Sequence, residues 1–363
     1  MRSFLLSQLK NLSIFRCRGV LQLPLFLPIT LSVTSLLATS DDEQRVSLLE
    51  CKMEKISSES VYSCRSGSRF ASGRPVTSGY DLSAFVDLLY WKFYEGGGDY
   101  TVKSRVENAC VGRMEKLSFE WEPGYRIGAS YGFSDLWDFT GSFTRMKSDG
   151  DDDVHAPAGG ELSMVSPYGV YGAVGSFREK LQFSLFNFEI GSSYFVSHSF
   201  YLRPHFGAQV AWIHQKFQAS SSGYSAYNRF QNQFNGGGLR AGLDTKWFFD
   251  CHWNLVFNAA ASALYGKCKV LMRNDSSGYI THIKANINRI VPSLQSLVGL
   301  CWETNFSEDN NHISLLLAYE NNYWWRQNQL IRYENDLSDA PYGTRLSEDL
   351  GSQGLTFELS LFF

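Results

Sequence analysis

Beyond its first forty residues the chain lacks any apolar run long enough to cross a bilayer as a helix, which excludes a helical membrane protein outside that N-terminal stretch. It lacks a dominant charge: 33 Lys and Arg stand against 36 Asp and Glu, for a net charge of −3. No basic surface therefore points to nucleic acid as a partner. Its 7 Cys include no CxxC pair and no Cys/His cluster at metal-ligand spacing, so neither a metal nor a cofactor is expected. HExxH and P-loop patterns are absent as well, and no enzyme is expected.

Aromatic residues, in contrast, are plentiful. There are 27 Phe, 19 Tyr and 9 Trp, together with 31 Gly, yet mean hydropathy is slightly negative. A chain that is both aromatic and polar must interleave the two kinds of residue, as strands with one apolar and one wet face do. The single long apolar stretch, about Val20 to Leu37, follows Lys10, Arg16 and Arg18 and precedes small residues at Ala38 and Ser40. This order of basic, apolar and small segments reads as a secretory signal over residues 1–40, with an N-terminal membrane anchor as the alternative. Pro24 and Pro28 interrupt the run and argue against the anchor. Residues 41–79 are polar and serine-rich and read as a periplasmic N-terminal extension.

From Tyr80 onward the hydrophobic period is two. Phe119, Trp121, Pro123, Tyr125, Ile127, Ala129, Tyr131 and Phe133 make one apolar face; Glu120, Glu122, Gly124, Arg126, Gly128, Ser130 and Gly132 make the other. A helix would scatter both sets around its circumference. Ten such strands are expected, at about 80–94, 119–133, 136–147, 181–196, 200–214, 237–249, 253–267, 289–303, 312–325 and 353–363. In the fourth, Leu181, Phe183 and Leu185 change phase to Phe186, Phe188 and Ile190, as a β-bulge would produce. Short connections alternate with long ones at about 95–118, 148–180, 215–236, 268–288 and 326–352. Short periplasmic turns and long extracellular loops mark outer-membrane barrels. The expected fold is all-β: residues 80–363 form a transmembrane antiparallel up-and-down β-barrel of about ten strands, with twelve left open by the segment Ser163–Phe177. A secreted β-sandwich is the competing reading, but strands this long are unusual there.

Several stretches resemble a known family. Leu89-Tyr90-Trp91-Lys92 followed by Glu95-Gly96-Gly97-Gly98-Asp99-Tyr100, the segment Phe119–Gly128, Asp135-Leu136-Trp137-Asp138 with Phe143-Thr144-Arg145, and Leu239-Arg240-Ala241-Gly242-Leu243 are similar to strands of the Legionella-type major outer membrane protein family. That family includes the MOMP-like porins of environmental chlamydiae, and the likeness runs from about residue 80 to Phe363. The resemblance implies a pore-forming, cysteine-containing surface protein of the bacterial outer membrane, with no catalytic motif. The longer N-terminal extension and the acidic Asp149–Asp153 run depart from the family pattern, so loop-borne functions do not carry over.

With the aromatic faces toward lipid, the opposite faces line the lumen. The candidate pore-lining residues are Asp87, Glu120, Glu122, Arg126, Glu189, Arg203, His205, Arg240, Asp244, Lys246, Glu320 and Glu358. Both signs occur, which suits a wet, weakly selective lining; internal ion pairs packing a narrow barrel are the alternative. The expected function is a porin-like channel for passive diffusion of small solutes and a major surface structural protein. The alternative is an adhesin or receptor barrel without conduction. A surface protease is a third reading, for which Asp149, Asp151, Asp152, Asp153 and His155, with Glu95, Asp99 and His214, are the residues to inspect.

Cys110 and Cys268 fall in expected external loops, Cys51 and Cys64 in the extension, and Cys251 and Cys301 at the periplasmic ends of neighbouring strands. A local Cys251–Cys301 pair, cross-links to envelope proteins of the kind the resemblance suggests, and free thiols all remain open. Phe363, with Leu361 and Leu359 on the same face, resembles the C-terminal signal read by barrel-assembly machinery. Outer-membrane lipid, that machinery and a second copy of the chain are the expected partners.

Overall fold

A computed structural model describes residues 81–104, 112–133, 137–164, 174–197, 199–221, 226–276, 279–306, 311–334 and 342–363. The expected signal and extension, with Cys51, Cys64 and Cys110, lie outside the described residues. The described strands are β1 (Asp81–Glu95), β2 (Asp99–Ser104), β3 (Gly112–Lys116), β4 (Trp121–Gly132), β5 (Trp137–His155), β6 (Glu161–Met164), β7 (Val174–Ser192), β8 (Tyr194–Ser197), β9 (Phe200–Ser221), β10 (Ala226–Phe248), β11 (Trp253–Ser276), β12 (Tyr279–Phe306), β13 (Asn311–Glu334) and β14 (Tyr342–Phe362).

Ten of them close a barrel in the order β10-β11-β12-β13-β14-β1-β4-β5-β7-β9, with β9 pairing back onto β10. Every pairing is antiparallel, and the closure joins last strand to first: β14 pairs with both β13 and β1. Closure removes the open edges that hydrocarbon would leave unsatisfied. Of the remaining strands, β8 adds to β9, and β2, β3 and β6 form a separate three-stranded sheet. The segment that left twelve strands open resolves accordingly. Glu161–Met164 joins the small sheet and Val174 begins a barrel strand, so the barrel count is ten.

The strands are far longer than the periodicity suggests. β12 has 28 residues and β11 and β13 have 24 each, whereas a membrane crossing takes about 9–11. The excess lies on the side opposite the short turns at Phe133–Trp137 and Phe249–Trp253, where backbone bonds of 3.2 and 3.3 Å close tight connections. Short turns are periplasmic in such barrels, so the excess stands outside the cell. Four of the five expected long loops are largely strand: β9 runs to Ser221, β10 resumes at Ala226, and β11 runs to Ser276.

The alternation continues through these stretches with its sense inverted. Near the turns the apolar residues face out, as Leu88, Ile127, Phe206, Leu239 and Phe357 do. Further up, water surrounds the barrel and the same backbone turns apolar residues inward. The change of phase in β7 is this inversion and not a bulge. Its pairings with β5 and β9 run without a register shift, Leu181, Phe183 and Leu185 are buried inside, and Phe186 and Phe188 are exposed outside. A second correction concerns Phe119, which is buried inside while Trp121 faces out. Residues 117–120 precede β4 and do not continue its alternation.

Leu361 lies on the outward face of β14, and the N–H of Phe363, the residue after that strand, donates to Leu82 O at 2.9 Å, at the seam of the barrel. Leu361→Asp puts a carboxylate into the lipid-facing seam. The variant is expected to accumulate in the periplasm as an unassembled chain; a heat-modifiable band in the outer-membrane fraction, equal to wild type, would show that the face is not read during assembly.

Candidate functional site

The lumen is built in layers. Alternation along every strand sets the residues of one layer side by side, and the barrel is narrow enough for side chains to meet across it.

The lowest layer is an ion-pair network within the membrane. Arg126 on β4 reaches Asp87 on β1 at 2.9 Å and Glu320 on β13 at 2.8 Å, and its guanidinium lies 5.7 Å from the centre of the Trp91 ring. Glu320 also accepts from Gln295 at 2.6 Å and from Thr356 at 3.0 Å. Arg203 on β9 pairs with Asp138 on β5 and, at 2.7 Å, with Asp244 on β10. Arg240 binds Glu189 at 2.7 Å and Gln295 at 2.6 Å. His205 sits between Glu189 at 3.3 Å and Asp244 at 3.6 Å. Lys246 meets Glu303 at 3.1 Å, with His312 at 3.7 Å from the same carboxylate. Between these groups lies a cavity of about 160 Å³, lined by Asp87, Arg126, Glu189, Arg203, His205 and Arg240 among others.

Above the network an apolar layer crosses the whole section. Trp91 and Phe93 come from β1, Phe183 from β7, Phe234 from β10, Leu264 from β11 and Trp324 from β13, each at most 2% exposed. Phe183 stands 5.5 Å from Phe93 and 5.8 Å from Trp324, centre to centre, and so joins three separated strands through one ring.

A second polar layer follows, outside the membrane. Glu95, Glu179, Gln215, Asn232, Gln327 and Asn328 are all buried. Glu95 accepts from Gln215 at 2.6 Å and from Asn328 at 3.4 Å, and is hydrogen-bonded to Glu179. A bulge between Trp324 and Asn328, with Arg326 at φ +53°, delivers Gln327 and Asn328 to this layer. The Arg326 N–H donates to Asp349 at 2.6 Å, which holds a conformation that a non-glycine residue rarely adopts. Burial, above all, pushes the Glu95 carboxyl up to about 7. Burial and then the Glu95 charge push Glu179 well above the usual carboxylate range. Two buried carboxyls in contact disfavour the doubly ionised state. A further apolar layer, with Phe177, Phe217, Phe230 and Leu330, covers them.

Of the candidate lining residues, Asp87, Arg126, Glu189, Arg203, His205, Arg240, Asp244, Lys246 and Glu320 meet in the lower network. Glu358 lines its cavity, and Glu122 is half-buried on the inner side of β4. Glu120 is exposed, because it precedes the strand whose alternation placed it. Glu303 and His312 follow the alternation of their strands and were legible from it. Glu179, Gln215 and Asn232 lie in the expected loops 148–180 and 215–236, where the apolar alternation inverts and gives no lumen-facing signal.

The acidic run does not converge on a site. Asp149, Asp151, Asp153 and His155 are exposed on β5, and Asp149 pairs with Lys180 at 3.2 Å. Glu95 lies inside the barrel while His214 faces out. The stretch Gly128-Ala129-Ser130-Tyr131-Gly132 has GxSxG spacing, but it lies mid-strand in β4 with Ser130 against Thr140 at 3.1 Å, not on the strand-to-helix turn that exposes a nucleophile.

Of the three readings left open for Cys301, the structure supports the free thiol. Cys301 is a free, buried thiol packed with Val256, Leu297 and Leu316, so no Cys251–Cys301 pair exists. Asn254 is the cross-strand partner of Cys301, which leaves Cys251 beyond the end of the ladder in the turn before β11. Cys268 is not in a loop; it is buried in the apolar layer.

A family model described as Legionella pneumophila major outer membrane protein precursor matches residues 75–363. The chain belongs to this family. Together with the closed barrel, membership in the Legionella major outer membrane protein family places it in the bacterial outer membrane. No curated protein matches the chain in sequence. Among solved structures, the Escherichia coli outer membrane protease OmpT is 10% identical, with 79% of this chain and 98% of that one covered at a TM-score of 0.44. The Pseudomonas putida toluene transporter TodX is also 10% identical, covering 79% and 90% at 0.32. The attachment invasion locus protein Ail of Yersinia pestis is 12% identical, covering 77% and 97% at 0.24. At such identities these likenesses say nothing of activity.

Proposed function

We propose that this family member is a closed surface barrel, a structural and display element of the outer membrane with neither a standing diffusion pore nor a catalytic role. The apolar layer carries this reading. Trp91, Phe93, Phe183, Phe234, Leu264 and Trp324 fill the section between two polar layers, and an apolar constriction of this kind excludes water and ions. Porin-like diffusion of small solutes is the second reading, favoured by the polar cavity below that layer. It would require the aromatic rings to move aside.

Planar-bilayer recordings of the purified, folded protein separate the two. Wild type is expected to be silent, while a Phe93→Ser, Phe183→Ser variant is expected to show discrete conductance steps. Steady steps from wild type would overturn the closed reading in favour of the porin.

A further inference from the structure

The outward face of the barrel changes chemistry within two steps along β5, β7 and β9. Phe143 and Phe186 stand opposite each other in the apolar band. One pair further up, Arg145 and Trp212 flank Ser184; one pair beyond that, Gln182 lies beside His214. The short Ser184 between two long neighbours leaves a groove of about 260 Å³, lined by Phe143, Arg145, Gln182, Ser184, Trp212 and His214. Its floor is aromatic toward the membrane and its rim is polar toward water.

The rim is also positively charged. Among the described residues Arg145 forms no ion pair, and Lys147 follows it on the same face of β5. Asp149, the next acid on that face, is held by Lys180 at 3.2 Å. An unpaired guanidinium where the face turns from apolar to polar matches an amphipathic anion whose charge sits directly above its hydrocarbon. Arg presents a planar fork to phosphate oxygens, and Trp favours the membrane–water boundary. A free phosphate would leave Phe143 and Trp212 without a partner.

We propose that this groove binds a net-anionic lipid with a terminal phosphate group in the outer leaflet, with Arg145 on the phosphate and Phe143 and Trp212 along the acyl chain. The site stands apart from the lumen and holds whether or not the barrel conducts.

Native mass spectrometry of the full barrel, released from micelles containing phosphatidate or phosphatidylcholine of the same chain length, tests it. One phosphatidate should remain bound at collision energies that strip phosphatidylcholine. Arg145→Gln should lower its retention about tenfold, the worth of one charge-assisted bond. Trp212→Ala should lower it too, and Lys284→Gln, an exposed substitution on β12, should leave it unchanged. All three positions are on the outward face, and an unchanged heat-modifiable band checks that each variant is folded. Equal retention of the two lipids, indifference to Arg145→Gln, an equal loss with Lys284→Gln, or displacement by excess inorganic phosphate would each overturn the proposal.

Discussion

Arg126→Met is expected to lower the stability of the folded barrel by about 4 kcal/mol, because removing one partner of a buried ion pair strands the others. Arg126 is the only cation within ion-pair distance of Asp87 and Glu320 among the described residues, and both carboxylates are fully buried. Methionine keeps most of the aliphatic stem but loses the guanidinium that lies over Trp91, and it neutralises neither acid. The readout is the urea midpoint of unfolding from lipid vesicles. A second substitution separates charge from packing: Glu320→Gln in the Arg126→Met background removes one stranded carboxylate and keeps one acceptor oxygen, while its amide NH2 replaces the oxygen that accepts from Thr356. The double variant should recover part of the loss. A midpoint for Arg126→Met equal to wild type would mean that water reaches these groups and relieves the stranded charges.

The second large effect is a dependence on pH in the extracellular half. A carboxyl whose folded pKa is raised binds its proton more tightly in the folded state, so stability is fully present below the ordinary value and is lost as pH rises through the raised one. For Glu95 that window runs from 4.5 to about 7, a loss of roughly 3 kcal/mol across it. Glu179, raised further, extends the loss to higher pH. Hydrogen exchange of the amides around Ile213–Phe217 and Phe230–Phe234 should therefore quicken between pH 5 and pH 9, beyond the intrinsic chemical dependence. Glu179→Gln removes one of the two charges while leaving Glu95 a hydrogen-bonding neighbour. It should match wild type at pH 5 and be better protected at pH 9. Equal protection of the two proteins at pH 9 would show that the pair carries no penalty when ionised.

The apolar-out strands were readable because lipid imposes one rule on every outward position. Leu355, Phe357 and Leu359, or Tyr125, Ile127 and Ala129, repeat every two residues with no exception to confuse the pattern. The inward acids of the lower lumen followed from the same parity. The extracellular half was harder to read because its parity reverses. Leu181, Phe183 and Leu185 face in, and Arg178, Lys180 and Gln182 face out, on an unbroken strand. A reading that follows one phase ends each strand where the membrane ends. The bulge at Trp324–Asn328 shifts parity again, with no glycine or proline to announce it.

The sequence by itself determined that the chain is an outer-membrane β-barrel, which outward residues meet lipid, and which family it resembles. All of these rest on period-two patterning and short motifs, which are local. Which side chains meet across the lumen was decided only by the tertiary structure. Phe93, Phe183 and Trp324 lie on strands β1, β7 and β13, and nothing local shows that their rings touch. The same holds for Arg126 with Glu320, 194 residues apart, and for Glu95 with Gln215, 120 apart. These contacts exist because ten strands close into a ring narrow enough for side chains to span. Closure is a property of the whole chain, and no segment of the sequence states it.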